Sequence, residues 1–407
     1  MLDAVLEKIN TLKDEGIALQ EKLTSLQAIG PSNGGAGEKE RADYIVRYLN
    51  DHGLSSVQSL NALDESVPSG IRPNLVLPLE GAEDRQGTFW ILSHLDTVPA
   101  GDPALWKSDP FQAVVRGGRI FGRGTEDNQQ SLVASLLAVR ALCETGTKPV
   151  GPAGLVMVSD EETGNRYGVE HLMSAGIFKR EDFVLVPDAG SPDGTMIELA
   201  EKTILWLKIE ITGRQCHASV PAMGINTLKI AANLIVRLQA LSDRFSTVDP
   251  LFEPPSSTFE PTRKEENVPN INTIPGRDVF YMDCRILPSY QPDDVIGAVM
   301  DICNQVERET GAVIATEVVE REDAHPPTPA DTPLVGKLQQ ALLSLREIQG
   351  KPCGIGGGTA ANYFRKEGIP AVVWSTADRM GHQPDEYCVI ENMISDAQVF
   401  AWLLLHL

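Results

Sequence analysis

At 407 residues the chain is too long for one small core, and two domains are the natural expectation. Hydrophobic content of 42% and charged content of 22% are those of a soluble globular protein. A formal net charge of -21 excludes nucleic acid and anionic membranes as partners drawn in by long-range attraction, but not a small anionic substrate met by a local cationic site.

The amino-terminal stretch "MLDAVLEKINTLKDEG" carries acidic residues within its first turns and no long apolar core, so neither a secretory signal nor a membrane span is expected there. A cytoplasmic location is the simplest expectation. Six cysteines lie far apart without a C-x-x-C pair, which disfavours a zinc ribbon or a thioredoxin-like site and fits reduced, packed thiols. Residues 1 to 51 read mainly as helix, interrupted by the glycine-rich loop "GPSNGGAGEKE", whose end leads into the helix "KERADYIVRYLND". From about 70 to 200 the short apolar runs "TFWILS", "AGLVMVS" and "DFVLVPD" alternate with helical patterns such as "QQSLVASLLAVRALCE". That alternation predicts an α/β domain, a mostly parallel sheet with helices on both faces.

Near residue 203 the pattern changes. "TILWLKIEITG" has the period of two of a half-exposed strand, and the helix "NTLKIAANLIVRLQAL" follows it. A polar, proline-rich section over 250–278, the strand "DVFYMDCRIL", the helix "PDDVIGAVMDICNQVERE" and the strand "AVIATEVVERE" come next. Strand, helix, two strands, helix, strand is the order of an α+β open-faced sandwich inserted in the larger domain. "HPPTPADTP" reads as a linker back, after which helix and strand alternate again through "IPAVVWS" to a C-terminal helix. The expected boundaries are 1–203 with 324–407 for the larger domain and 204–323 for the insertion.

Open parallel sheets gather function at the carboxyl ends of their strands. There "TFWILS" is followed by His94 and Asp96, "GLVMVS" by Asp160, Glu161 and Glu162, "DFVLVP" by Asp188, and "PAVVWS" by the loop holding His382. Asp127 stands just before a helix in "GRGTEDNQQS". Singly, Asp127 or Asp188 suits a turn or a helix cap, His94 suits a buried core histidine, and Asp160 a polar turn. Gathered at one edge, the carboxylates cannot all stay ionised without a cation. Mixed imidazole and carboxylate donors fit Zn²⁺, with Co²⁺ or Mn²⁺ as alternatives, whereas Ca²⁺ or Mg²⁺ would want oxygen almost alone. Two histidines and three or more acids are too many for one tetrahedral ion. They suffice for two ions about 3.5 to 4 Å apart that share a carboxylate and a bridging water.

With "SHLDTVP", "GRGTEDN", "DEETG", "VPDAG", "GRQCHASVP", "GGGTAANYF" and "GHQPDE" in this order and spacing, the chain resembles the M20 metallopeptidase and deacylase family. Succinyl-diaminopimelate desuccinylase, acetylornithine deacetylase, aminoacylase and glutamate carboxypeptidase are members. The resemblance spans nearly the whole chain. It implies a zinc-exopeptidase-like catalytic domain whose insertion serves as lid and dimerisation domain. It further implies that His94 and Asp188 hold one zinc ion, Glu162 and His382 the other, and that Asp127 bridges both. By the same resemblance Asp96 orients the His94 imidazole and Glu161 is the general base, ionised at neutral pH because it lies close to cations without being a ligand. His217 in "GRQCHASVP" matches a histidine that reaches over the partner subunit's active site, which implies a homodimer built through the insertion. For the substrate's carboxylate the resemblance points to Asn272 in "NINTIPG", Arg285 in "DCRILP", and Gly358 with Thr359 in "GGGTAAN"; the alternative for Arg285 is a surface charge on a strand. "GIGGGT" lacks the lysine and the spacing of a phosphate loop.

The chain departs from the desuccinylases and acetylornithine deacetylases at two places, with Asp188 where they usually carry glutamate, and "GGTAA" where they carry "GGTSD". The expected activity is that of a two-zinc amidohydrolase or peptidase cleaving the C–N bond of a small N-acyl amino acid. A dipeptidase or carboxypeptidase of the same family is the alternative. A non-catalytic dimeric binding homologue is disfavoured because all five ligand positions and the base are intact.

Overall fold

Two almost wholly apolar runs, Phe89–His94 and Ala153–Val158, form strands buried at every position. They pair in parallel, Phe89 opposite Ala153 and His94 opposite Val158. Strand Phe183–Gly190 pairs in parallel with the first of them, and strand Ala371–Ser375 in parallel with Phe183–Gly190. These four adjacent parallel strands are the centre of an eight-stranded sheet. Leu75–Leu79, Gln58–Ser59 and Met196–Glu201 flank them as antiparallel additions, and Lys351–Ile355 closes the far edge.

Alternate side chains of the central strands enter two separate cores. Ile91, Leu155 and Met157 pack with the helices Leu2–Thr11, Ser131–Glu144, Pro333–Arg346 and Ile390–His406. Trp90, Leu92, Val156 and Val158 pack with Val169–Ser174 and Ala361–Lys366 on the other face. Burial on both faces is why these strands read as near-continuous apolar runs rather than as alternation. Strands 183–190 and 371–375 approach so closely at their ends that a Cβ on Gly190 would lie 1.9 Å from the Ser375 carbonyl oxygen. Only glycine fits there.

The computed structural model describes residues 1–407, which divide into two compact units. The first comprises Met1–Leu199, Thr328–Pro352 and Thr359–Leu407; the second comprises Ala200–Pro327 with Cys353–Gly358. In the second unit the strands Thr258–Lys264, Arg277–Ile286, Thr203–Thr212 and Val313–Glu322 lie in that order, all antiparallel. Leu205, Leu207, Ile209 and Ile211 form one buried face with the helices Thr227–Leu238 and Pro292–Thr310, while Trp206 on the other face is exposed. Strand Thr258–Lys264 lies inside the proline-rich section, where sequence periodicity is silent. It is an edge strand, and Pro261 sits at a register shift, where a missing ladder donor is tolerated. No helix is long and apolar enough to cross a membrane.

Behind the central strands, Arg41 of the helix Lys39–Asp51 is 1% exposed. Its guanidinium donates to the carbonyls of Leu23 (3.0 Å), Leu26 (2.8 Å) and Leu95 (2.6 Å), tying the first helices to the segment that follows His94. Replacing Arg41 with Met leaves these buried acceptors unsatisfied, and urea denaturation is expected to show a loss of about 3 kcal/mol or more. A loss below about 1 kcal/mol would mean that water takes the arginine's place.

Candidate metal centre

The four central strands deliver their carboxyl ends side by side. His94 ends the first of them, and its ring Nδ1 lies 3.1 Å from the Asp96 carbonyl and 3.4 Å from Asp96 Oδ1. Its Nε2 faces Asp127 Oδ1 at 3.1 Å and Asp188 Oδ1 at 3.3 Å. Burial alone would lower the pKa of this imidazole. The carboxylates of Asp127, Asp188 and Asp96 outweigh that and raise it well above the usual histidine range.

Asp127 lies in the turn Thr125–Gln130 that leads into the helix Ser131–Glu144, and the Asp127–Asn128 peptide is cis. One of its oxygens faces each imidazole: Oδ1 faces His94, and Oδ2 lies 3.1 Å from His382 Nε2. Burial opposes the charge on Asp127, but the hydrogen bonds from His382 and His94 prevail and hold its carboxyl below the ordinary range. His382 Nε2 also lies 3.0 Å from Glu162 Oε2. Asp127 and Glu162 together push His382 up to about 10, while burial and the Asp127 charge push Glu162 up to about 7. Two groups of donors result, His94 with Asp127 and Asp188, and Asp127 with Glu162 and His382, each with ligand atoms within 4.8 Å of one another. Asp127 is common to both.

The stretch "DEETG" forms a tight turn. Asp160 has φ 66° and is buried, accepting from Thr163 Oγ1 and from the Tyr167 N–H at 3.1 Å. Arg72 lies 3.5 Å from Asp160 and donates through Nε to Glu38 at 2.7 Å. Asp160 is thus the turn residue expected, but held in the interior by a cation that no motif announces. Asp96 fastens the same turn from the other side, Oδ1 accepting from the Glu161 N–H (3.2 Å) and Oδ2 from the Glu162 N–H (3.0 Å). Glu161 belongs to neither donor group. Burial and the adjacent Asp188 charge raise its pKa well above normal, and a cation beside it would lower it again.

Sequence patterns missed Asn128, whose Nδ2 donates to Asp188 Oδ1 (2.8 Å) and the Pro187 carbonyl (2.9 Å) while its Oδ1 accepts from the His94 N–H at 3.3 Å. Gly381 is equally constrained, since a Cβ there would lie 2.9 Å from Asp127 Oδ2. The donor set meets the demand of a cation on chemical grounds. Two imidazoles converge with three carboxylates, and without a positive ion Glu162 shifts toward its neutral form.

The second unit holds the other expected site residues except Thr359. His217 is exposed on the short strand Cys216–His217 paired with Thr273–Ile274, and its Nδ1 accepts from the Ser219 N–H at 3.1 Å. The neutral ring therefore carries its proton on Nε2. The Asn272 carbonyl accepts from the Ala218 N–H at 2.8 Å, and Asn272 Oδ1 accepts from Asn270 at 2.6 Å. Arg285 grips Asp283 through Nε (2.6 Å) and Nη2 (2.9 Å), and its Nη1 donates to the Gly356 carbonyl at 2.8 Å. A Cβ on Gly358 would meet the Glu322 carboxylate at 2.7 Å. In the first unit Thr359 is buried, and its Oγ1 accepts from the Ala361 N–H at 3.2 Å.

Residues 90–406 match the profile of peptidase family M20/M25/M40. The chain belongs to this family. It is accordingly a metallohydrolase of amide bonds. An uncharacterised metallohydrolase of Methanococcus maripaludis is 38% identical over 97% of this chain and 100% of its own length. Succinyl-diaminopimelate desuccinylase of Rhodospirillum centenum is 25% identical over 79% of this chain and 81% of its own. Among solved structures, human carnosine dipeptidase 1 shares the fold of this M20 chain, with a TM-score of 0.72 over 99% of this chain and 98% of that one at 15% identity.

Without a metal, a pKa of about 10 keeps a proton on His382 at neutral pH and one of about 7 keeps a proton partly on Glu162, while the carboxylates around His94 shift it in the same upward direction. A metal must displace these protons, so affinity rises with pH. Between pH 6 and 8 the association constant is expected to gain about tenfold or more per pH unit, with calorimetry in buffers of different ionisation enthalpy showing release of at least one proton. An affinity flat over that range would exclude these imidazoles as donors.

Proposed function

We propose that this M20 member is a dinuclear zinc hydrolase that removes the acyl group from a small N-acyl amino acid, in the manner of a desuccinylase or deacetylase. One observation carries the proposal: Asp127 turns one oxygen to each of two imidazoles, while Glu161 stands on the same turn as Glu162 and belongs to neither donor group. His94 and Asp188 would hold one ion, Glu162 and His382 the other, and Asp127 both. Two imidazoles among carboxylates favour zinc, with cobalt or manganese as substitutes. When bound, the ions supply Lewis-acid polarisation of the scissile carbonyl and a water of lowered pKa.

Glu161 takes the proton of the attacking water as the new C–O bond forms, and returns it to the amine nitrogen as the C–N bond breaks. Asp96 keeps the His94 ring oriented and the Glu161 backbone in place. We extend the proposal to a homodimer built through the inserted unit, in which the Nε2–H of His217 donates to the developing oxyanion at the partner subunit's centre. The fixed tautomer of His217 supports that role. Cysteines spaced far apart in the sequence, with no C-x-x-C pair, support a reducing, cytoplasmic setting. Asn272, Gly358 and Thr359 remain the proposed contacts for the substrate's carboxylate.

A dipeptidase is the second reading, favoured by Asp188 and "GGTAA" at the two places where the chain departs from the desuccinylases and acetylornithine deacetylases. A zinc-loaded panel of N-succinyl and N-acetyl amino acids against dipeptides separates the two. The higher kcat/KM is expected on the N-acyl compounds. A tenfold preference for dipeptides decides for the second reading, and no hydrolysis of any amide at full metal loading sinks both. In the same assay Glu161→Gln is expected to lower kcat by about a thousandfold while metal analysis still finds two ions per chain. Loss of an ion in that variant would make Glu161 a ligand rather than the base.

A further inference from the structure

Two glutamates outside the donor set lace the ligand-bearing loops together, each reaching from its own loop onto the backbone of the other. Glu126, next to Asp127, accepts through Oε1 from the Asp378 N–H (2.7 Å) and through Oε2 from the N–H groups of Met380 and Gly381, the latter at 3.1 Å. Glu386, four residues beyond His382, accepts in return through Oε1 from the N–H groups of Glu126 (3.0 Å) and Asp127 (3.1 Å). Its Oε2 accepts from the Gly124 N–H (3.0 Å) and Arg123 Nη1 (2.6 Å). Carboxylate oxygens only accept, and every partner named here only donates, so the geometry matches the ionised form of both side chains although burial raises their pKa, that of Glu386 to about 7. Two more negative charges beside an acidic cluster raise its repulsion. Their position calls for a compensating role, and the hydrogen bonds show it.

We infer that Glu126 and Glu386 are positioning residues that fix the spacing between Asp127 and His382, and through it the affinity for the ion held by Asp127, Glu162 and His382. The inference rests on reading the two donor groups as a dinuclear centre. His382 serves only one of those groups. His94 and Asp188 are braced separately by Asp96 and Asn128, so loosening the 378–382 loop weakens one ion and spares the other.

The test uses metal uptake rather than turnover, so failure to hydrolyse any amide leaves it intact. Metal-free full-length protein is titrated with Zn²⁺ in competition with a chromophoric chelator. Glu126→Gln turns an amide N–H toward backbone N–H groups, whereas Glu126→Asp keeps the charge but cannot span the gap. Both variants are expected to bind one ion at least tenfold more weakly and the other within twofold of wild type, with unchanged circular dichroism. Wild-type affinities in Glu126→Asp would reduce the effect to charge, and equal weakening of both ions to general destabilisation; either result overturns the inference. If neither variant folds, amide exchange in the wild type decides. Protection of the Met380 and Gly381 N–H groups by a hundredfold over an open loop supports the inference, and exchange at the open-loop rate overturns it. A wild-type chain that takes up a single ion overturns the dinuclear reading and this inference together.

Discussion

Carboxylates crowded at the ends of buried strands repel one another where water screens them least. The first unit is arranged around that repulsion. Asp127, Glu162 and Asp188 are each set against an imidazole, and Asp127 is set against two. Burial and then the neighbouring carboxylate charges place Glu161 and Glu162 above the ordinary carboxylate range, so without a cation the cluster relieves itself by taking up protons. The same stretch of chain can therefore be a proton store or a metal cradle, and occupancy decides which. In the proposed mechanism Glu161 would owe its working charge to bound ions.

Such a cluster survives only if its backbone is over-determined. The parallel strands set the height of His94, Asp188 and the "DEETG" turn, because register places His94 opposite Val158 and the bulge near Ser375 beside Gly190. A ring of buried polar groups then fixes direction. Asp96 holds the His94 ring and the Glu161–Glu162 backbone together, Arg72 balances Asp160 and Glu38, and Arg41 ties Leu95 to the first helices. These contacts are worth more in the interior than at the surface, and they cost more when half-broken.

Hydrolysis of an amide needs a water, a base and a polarised carbonyl, and the first unit brings together residues suited to the first two tasks. In the second unit Arg285 is committed to Asp283, and the His217 ring accepts from the Ser219 N–H. An arginine on a strand looks the same in sequence whether its partner is a substrate or the aspartate two residues earlier.

The legible parts were those that depend on local pattern. Doubly buried strands make apolar runs, so Phe89–His94, Ala153–Val158 and Ala371–Ser375 and the residues that follow them could be placed from sequence, and the mixed donor types named a metal before any geometry did. Short antiparallel additions such as Gln58–Ser59 and the edge strand Thr258–Lys264 have no such pattern, since pairing rather than burial makes them strands. What tertiary structure alone decided is partnership: that Asn128 orients Asp188, that Arg72 neutralises Asp160, that Asp283 takes Arg285, and that Glu126 and Glu386 clasp each other's loops. Those pairs are dozens to hundreds of residues apart or, for Arg285, a matter of side-chain direction. One chain's order records which groups are present; only the fold sets the distances on which electrostatics and hydrogen bonding depend.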